Sequence, residues 1–297
     1  MKPSKMIEWD GISLGELLTL ERVDGSSARS RLIDLNANAR AYGGQTLGQV
    51  MAAAGAAVSS NRLPTTLQMI FLSGVKPDSP VEFHVTPLQD GKRFSSRHVR
   101  ASQDGRWVAD AHVAFAVPPS APATLSHQQA ITPIEADPLA GALLSEMPRK
   151  WQAALQRVSG YSLAEKPCLE FRVPDAERQI FGGTHHFEFW LRVRMNSNAS
   201  ACQRAAAFAY ASDFWLNFSG AGGHLPELTD DSKLYGASLN HALWLYEDFD
   251  PTNWMLFVSE SPRTYGGRAL SIARVYDGNL SLVAVASQEG AMTPLHL

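Results

Sequence analysis

Apolar residues recur at helical spacing in two long runs and alternate with polar ones through most of the remaining chain. The first helical run, Thr46 to Val58, sets Leu47, Val50, Met51, Ala54, Ala57 and Val58 on a 3.6-residue period. Its other faces carry mostly Gly and Ala. The helix is therefore expected to be buried on most sides, with small residues letting a sheet approach closely. Gly43-Gly44 at its start permit tight backbone geometry. The second run is Ala-rich and spans Ala201 to Asp213. A shorter helix is expected at Leu14 to Leu18, and a first strand near Ser30 to Ile33. Period-two alternation marks strands through Val81, Phe83 and Val85, and through Trp107, Ala109, Ala111, Val113 and Phe115. Asp90-Gly91 and Asp104-Gly105 are hairpin signals. From Pro118 to Pro167 the pattern dissolves into a linker with one expected helix, around Arg149 to Val158. Strands resume at Leu169 to Val173 and His185 to Arg194. After the second helix they follow at Ser238 to Tyr246, Trp254 to Ser259, Arg268 to Tyr276 and Leu280 to Gln288.

Helix followed by antiparallel strands, twice over, is an α+β pattern rather than alternating βαβ. The halves match in order but not in chemistry. Eleven residues beyond Asp104 lies Phe115, and eleven beyond Asp277 lies Gln288. The first Ala-rich run holds no acid, whereas the second ends in Asp213. Two related modules with polar equipment in one of them suggest a duplicated fold with a single working site. Two curved sheets, each around its own helix and joined side by side, would also cover an exposed edge.

Composition narrows the partners. The 297 residues are 45% hydrophobic and 19% charged, with net charge −3, which builds a core and excludes a disordered chain. No basic run suggests nucleic acid, and no polybasic patch or apolar span suggests a membrane. The N-terminus shows no apolar signal region, so a cytoplasmic location is expected. Cys168 and Cys202 read as reduced structural thiols. In His185-His186 alternation sends the two rings to opposite faces, and no third ligand sits at a familiar spacing, so no metal is expected. Phosphate-loop, dinucleotide and His-Glu-x-x-His motifs are all missing from the sequence.

Two ordered blocks of short tags are more specific. The front block is Tyr42-Gly43-Gly44-Gln45-Thr46-Leu47-Gly48-Gln49 with Asp90-Gly91-Lys92-Arg93-Phe94-Ser95-Ser96-Arg97. The back block is Tyr210-Ala211-Ser212-Asp213, Ser238-Leu239-Asn240-His241-Ala242-Leu243-Trp244, Trp254-Met255-Leu256, Glu260-Ser261-Pro262 and Gln288-Glu289-Gly290. In this order the chain resembles the type II, TesB-like acyl-CoA thioesterases. The resemblance implies a double hotdog: an N-terminal hotdog over 1–117, a linker over 118–166 and a C-terminal hotdog over 167–297. It implies hydrolysis of acyl-CoA to free acid and CoA without metal or organic cofactor, and further association into homo-oligomers. It also implies a triad that holds a water, with the Asp at Asp213, the hydroxyl at Ser238 and the amide at Gln288. The chain departs from the family at Thr65 to Pro77, which lacks the usual histidine and Arg-Pro-Gly, and at Asn240-His241, where Asp-His is usual.

Those residue types suit the chemistry. Asp213 can take a proton from water, and Ser238 and Gln288 can orient that water by donating or accepting. Backbone N–H groups at Gly43, Gly44 and Gln45 open a helix and can polarise a thioester carbonyl. Two alternatives stay open: a hotdog hydratase or dehydratase pairing Asp213 with His241, and a non-catalytic member that binds acyl thioesters.

Overall fold

Two helices form the axis of the protein. In the computed structural model, which describes residues 5–36, 38–120, 125–143, 158–159, 166–196, 198–227 and 232–296, helix α1 (Gly43–Ala56) lies against helix α2 (Ala201–Ser212). Their small residues are what allow it. A Cβ on Gly44 would sit 2.3 Å from the Tyr210 carbonyl oxygen, and one on Gly48 would sit 2.9 Å from that of Ala206. A Cβ on Gly55 would meet the Cys202 Cβ at 2.9 Å. The helices are therefore antiparallel, and the start of α1 meets the end of α2. The small residues admit the other helix's backbone, where the sequence suggested a sheet. Leu47, Val50 and Met51 of α1 are fully buried, each contributing roughly 1.5–3 kcal/mol of apolar burial.

Around each helix wraps a set of antiparallel strands. The front set is β1 (Leu63–Phe71), β2 (Glu82–Asp90), β3 (Phe94–Gln103) and β4 (Arg106–Ala116). The back set holds β5 (Leu169–Val173), β6 (His186–Val193), β7 (Ser232–Leu245), β8 (Met255–Tyr265), β9 (Arg268–Tyr276) and β10 (Leu282–His296). All belong to one 14-stranded sheet, whose middle runs β2-β3-β4-β1-β7-β10-β9-β8. The order is palindromic about the β1–β7 seam, where Leu67 faces Leu243. Both halves thus have the first strand after their helix at the centre. Ser95 pairs with Phe115 in the front half, and Ser271 pairs with Gln288 in the back. Both serines are fully buried, so Phe115 and Gln288 occupy matching places.

The strands follow the alternation with three instructive differences, and Asp104-Gly105 turns as expected. The segment expected as one strand at Ser30 to Ile33 splits into Ser27–Arg29 in the main sheet and Leu32–Ile33, which pairs with Ile7–Glu8. The divider is Ser30, whose hydroxyl accepts from Val81 N and donates to Met6 Sδ. Trp107 leaves the core face: the register shifts so that Ser102 opposes Trp107 and Ala101 opposes Ala109. Val108 is the buried extra residue, and Trp107 turns outward, 49% exposed. Asp104-Gly105 makes a two-residue turn with both φ positive, at 50° and 75°. Asp277-Gly278 instead opens a longer loop, in which the Asp277 carboxylate accepts from Asn279 N and Ser281 N.

The segment that carries Ile131 and Glu135 covers part of the outer face of the back sheet. Ile131 packs on Trp190, Leu256, Val258 and Tyr276, while Glu135 O accepts from Trp190 Nε1. The expected helix around Arg149 to Val158 falls almost wholly at residues 144–157, outside the described residues.

Candidate active site

The antiparallel helix pair creates two junctions of a helix start with a helix end. One junction is closed. Ser200 caps α2 by accepting from Gln203 N, and Gln203 returns a bond to Ser200 N. At the matching end of α1, Arg97 donates to Ala57 O through Nε and Nη2, and to Asp90 at 2.8 Å. Only a hollow of about 20 Å³ remains beside α2 there, lined by Arg204 and Asp248.

The other junction is open. Tyr42, the residue before α1, offers no side-chain cap. Helix α2 ends in an acid, Asp213, although negative charge is unfavourable at a helix C-terminus. The facing start of α1 compensates: the Gly44 N–H donates to the Asp213 carboxylate. Gly43 has room for nothing larger, since a Cβ would lie 2.7 Å from Asp213 Oδ2. Above this junction opens a cleft of about 800 Å³, lined by Asp213, Ser238, Gly43, Tyr42, Lys166 and Trp215 among others.

The three polar residues singled out in the back half converge. Gln288 Nε2 donates to Asp213 Oδ1 at 2.5 Å and to Ser238 Oγ at 2.6 Å. Ser238 Oγ donates to Asp213 Oδ1 at 3.4 Å. Asp213 and Ser238 face the cleft, whereas Gln288 is fully buried behind them. Burial drives the Asp213 pKa up to about 6; hydrogen bonds from Gln288, Gly44 N–H and Ser238, and then the charge of Lys166, oppose the rise. The backbone just beyond is held in an unusual state. Trp215 has φ 62°, costing about 1–3 kcal/mol. Its ring is wedged between Phe171, Phe187 and Phe218, with centroids 5.1, 5.8 and 4.9 Å away.

His241 lies behind the carboxylate, with Nδ1 4.0 Å from Asp213 Oδ1 and Nε2 3.0 Å from Ser212 Oγ. Burial lowers its pKa to about 3, opposed by hydrogen bonding toward Gln288. At neutral pH it is an uncharged imidazole. Its Nδ1 and the Gln288 Oε1 are both buried without a partner, and an Nδ1–H tautomer would supply one to each.

Of the three front-half positions, Gly43 and Gly44 touch Asp213 directly. The Gln45 N–H is bonded to Tyr42 O, and its side-chain amide accepts from Asp34 N and donates to Leu32 O. Gln45 thus ties the preceding strand to the helix start.

The sequence reading missed a second polar group in the cleft. Lys166 Nζ lies 2.6 Å from Asp34 Oδ2 and 4.3 Å from the Tyr42 ring centroid. Tyr210 donates to the same Asp34 oxygen at 2.7 Å. Asp34 and Lys166 are 132 residues apart, and no local spacing signals their pairing. Beside them burial lifts the Cys168 thiol to about 11, which keeps it unreactive. Lys166 makes a testable contribution to the site. Lys166→Met removes a cation that favours ionised Asp213, so the ascending limb of kcat/KM against pH is expected to move to higher pH by a fraction of a unit. An unmoved limb would separate Lys166 from the carboxylate.

Helix-and-sheet halves of this kind, with the site at a helix start, define a hotdog-fold protein. A hot dog fold protein from Alicyclobacillus acidocaldarius superposes with TM-score 0.72, covering 94% of this chain and 97% of that one at 16% identity. The acyl-CoA thioesterase II TesB2 of Mycobacterium marinum does so with TM-score 0.72 and 26% identity, over 95% and 98% of the two chains. Residues 33–116 match the acyl-CoA thioesterase N-terminal domain model and residues 138–292 the C-terminal domain model. The chain belongs to the type II acyl-CoA thioesterase family. Among its relatives, mouse acyl-coenzyme A thioesterase 8 is 27% identical over 288 residues, 93% of this chain and 87% of that protein. Acyl-CoA thioesterase 2 of Haemophilus influenzae is 24% identical over 280 residues, 94% and 96% of the two chains.

Proposed function

We propose that the protein is a double-hotdog hydrolase of acyl-CoA thioesters, with residues 1–117 and 167–297 as its hotdogs and 118–166 between them. The observation that carries this reading is the convergence of Ser238 and Gln288 on one oxygen of Asp213, at the mouth of a cleft and against a helix start. Water held by Asp213 and Ser238 attacks the thioester carbonyl carbon as its proton passes to Asp213. Gln288 orients both groups from behind by spending its two amide hydrogens on them. Negative charge grows on the carbonyl oxygen. Of the first helical N–H groups, Gly44 serves Asp213 and Gln45 serves Tyr42 O, which leaves Gly43 N–H to polarise the carbonyl, helped by the positive end of α1. The tetrahedral intermediate collapses with breakage of the C–S bond, and Asp213 returns its proton to the departing thiolate.

The hydratase alternative fares worse. It needs an imidazole at the substrate, and His241 is fully buried with Nε2 already engaged.

The test is release of free thiol from a panel of acyl-CoAs. Ser238→Ala and Gln288→Ala are each expected to lower kcat/KM by about 10²-fold or more through lost orientation. Activity unaffected by both changes would refute the site. Binding of acyl-CoA with no turnover by the unmodified protein at any chain length would instead favour a non-catalytic member.

A further inference from the structure

The outer faces of the two half-sheets differ in chemistry. The back face is apolar and covered by the linker through Ile131. On the front face, adjacent strands β3 and β4 place two imidazoles and a carboxylate together. His98 pairs directly with His112 across the strands, and directly opposed residues carry Cβ atoms about 5 Å apart. Asp110 precedes His112 by two residues, so it projects from the same face. The packing has already gathered the three side chains. His98 Nε2 lies 2.9 Å from Asp110 Oδ1, and the two imidazoles are stacked with centroids 4.8 Å apart. One ligand atom from each residue falls within 4.8 Å of the other two. Arg100, paired with Asp110 across the strands, has its guanidinium over the Trp107 ring at 4.8 Å from the centroid. The bulge at Val108 that turned Trp107 outward thus gives that cation another place to lie.

We propose that His98, Asp110 and His112 form a surface binding site for a divalent metal ion of borderline softness, with Zn²⁺ as the representative. Two imidazole nitrogens and one carboxylate oxygen supply three ligands, and the exposed side of the sheet leaves the fourth position to water. Ligand atoms around a tetrahedral Zn²⁺ stand about 3.3 Å apart, given bonds of about 2.0–2.1 Å. Small rotations of the exposed His112 ring close the remaining distance without moving the strands. None of the three residues lines the cleft at Asp213, so this site stands independently of the proposed hydrolysis. Its consequence is structural: the ion cross-links β3 to β4 and stabilises the folded state by an amount that grows with the logarithm of the free ion concentration above its Kd.

The experiment is calorimetric titration of ZnCl₂ into the tag-free, chelator-treated full chain and three variants. The expected result is one site of micromolar or tighter affinity. His98→Ala and His112→Ala should each weaken it by about tenfold or more, since each removes a metal ligand. His84→Ala is the control. His84 shares the same face but bonds to Ser27 Oγ at 3.2 Å, and its loss should leave the affinity unchanged. Three results would each overturn the site: no binding below millimolar zinc, equal affinity in the unmodified protein and the His98 and His112 variants, or a loss in only one of those two.

Discussion

Asp213→Asn is expected to abolish hydrolysis and at the same time to make the protein more stable at neutral pH. The loss of rate follows from the proposed mechanism. Without the carboxylate at 213 the proposed water loses the base beside Ser238, since Asp34 across the cleft is already paired with Lys166 and Tyr210, and general-base assistance is worth about 10²–10⁴-fold. The gain in stability follows from burial. Burial raises the carboxyl group's pKa to about 6 in the folded protein from its ordinary value of 3.8, so the folded state holds its proton more tightly than the unfolded chain. Stability is therefore greatest below the unfolded pKa and falls as pH rises toward 6, by on the order of 3 kcal/mol once both states are ionised. An amide does not ionise and escapes that penalty. Its oxygen can accept from Gly44 N–H. Its NH₂ can donate to Gln288 Oε1, now buried and unpartnered, if that amide flips. Urea midpoints of the two proteins should coincide near pH 4 and diverge in favour of the variant by pH 8. The same pKa predicts that kcat/KM of the unmodified enzyme rises through about pH 6. Parallel stability curves across that range would show that Asp213 is not a desolvated carboxylate.

Gly44→Ala is expected to damage both the fold and the site, through one methyl group. The new Cβ would sit 2.3 Å from the Tyr210 carbonyl oxygen and 2.4 Å from the Tyr42 ring. The carbonyl belongs to the backbone of α2 and cannot rotate away. Relief requires the two helices to move apart where Gly44 N–H meets Asp213. Overpacking of a rigid contact costs about 1–3 kcal/mol, with larger values where backbone must move. A displacement of even 1 Å at the reacting groups can cost about 10²-fold in rate. Thermal unfolding and thiol release should therefore fall together. Glycine at 48 gives a milder comparison, because a Cβ there meets the Leu18 side chain at 2.6 Å and the Ala206 carbonyl at 2.9 Å. Full activity in Gly44→Ala would mean that close helix contact does not set the site.

Much of the fold was legible in the pattern. Alternation found most of the long strands, because each has one face on a helix and the other outward, but Leu63–Phe71 and Phe94–Gln103 were not marked by it. Both axial helices stood out because their small and apolar residues leave no strongly polar side. The differences arose where a local exception outvoted the period: the buried Ser30 hydroxyl, the bulge at Val108 and the Asp277 loop. The candidate site was legible in part. Asp213, Ser238 and Gln288 were singled out as ordered tags, and they lie within hydrogen-bond reach of one another. Lys166 and Asp34 were not seen, nor was the cluster of His98, Asp110 and His112. Their members are joined only by the packing of strands and loops.

The amino-acid sequence alone determined the duplicated helix-then-strands plan, the buried face of the cleanly alternating strands, and the asymmetry that leaves an acid at the end of the second helix. These are readable because periodicity records which side of a segment avoids water. Tertiary structure decided which helix junction stays open, since Arg97 and Ser200 close one and, among the described residues, nothing comparable fills the other. It also set the protonation of Asp213, because a pKa depends on how much water and which donors surround the group, and those arrive from residues as distant in the chain as Gly44 and Gln288.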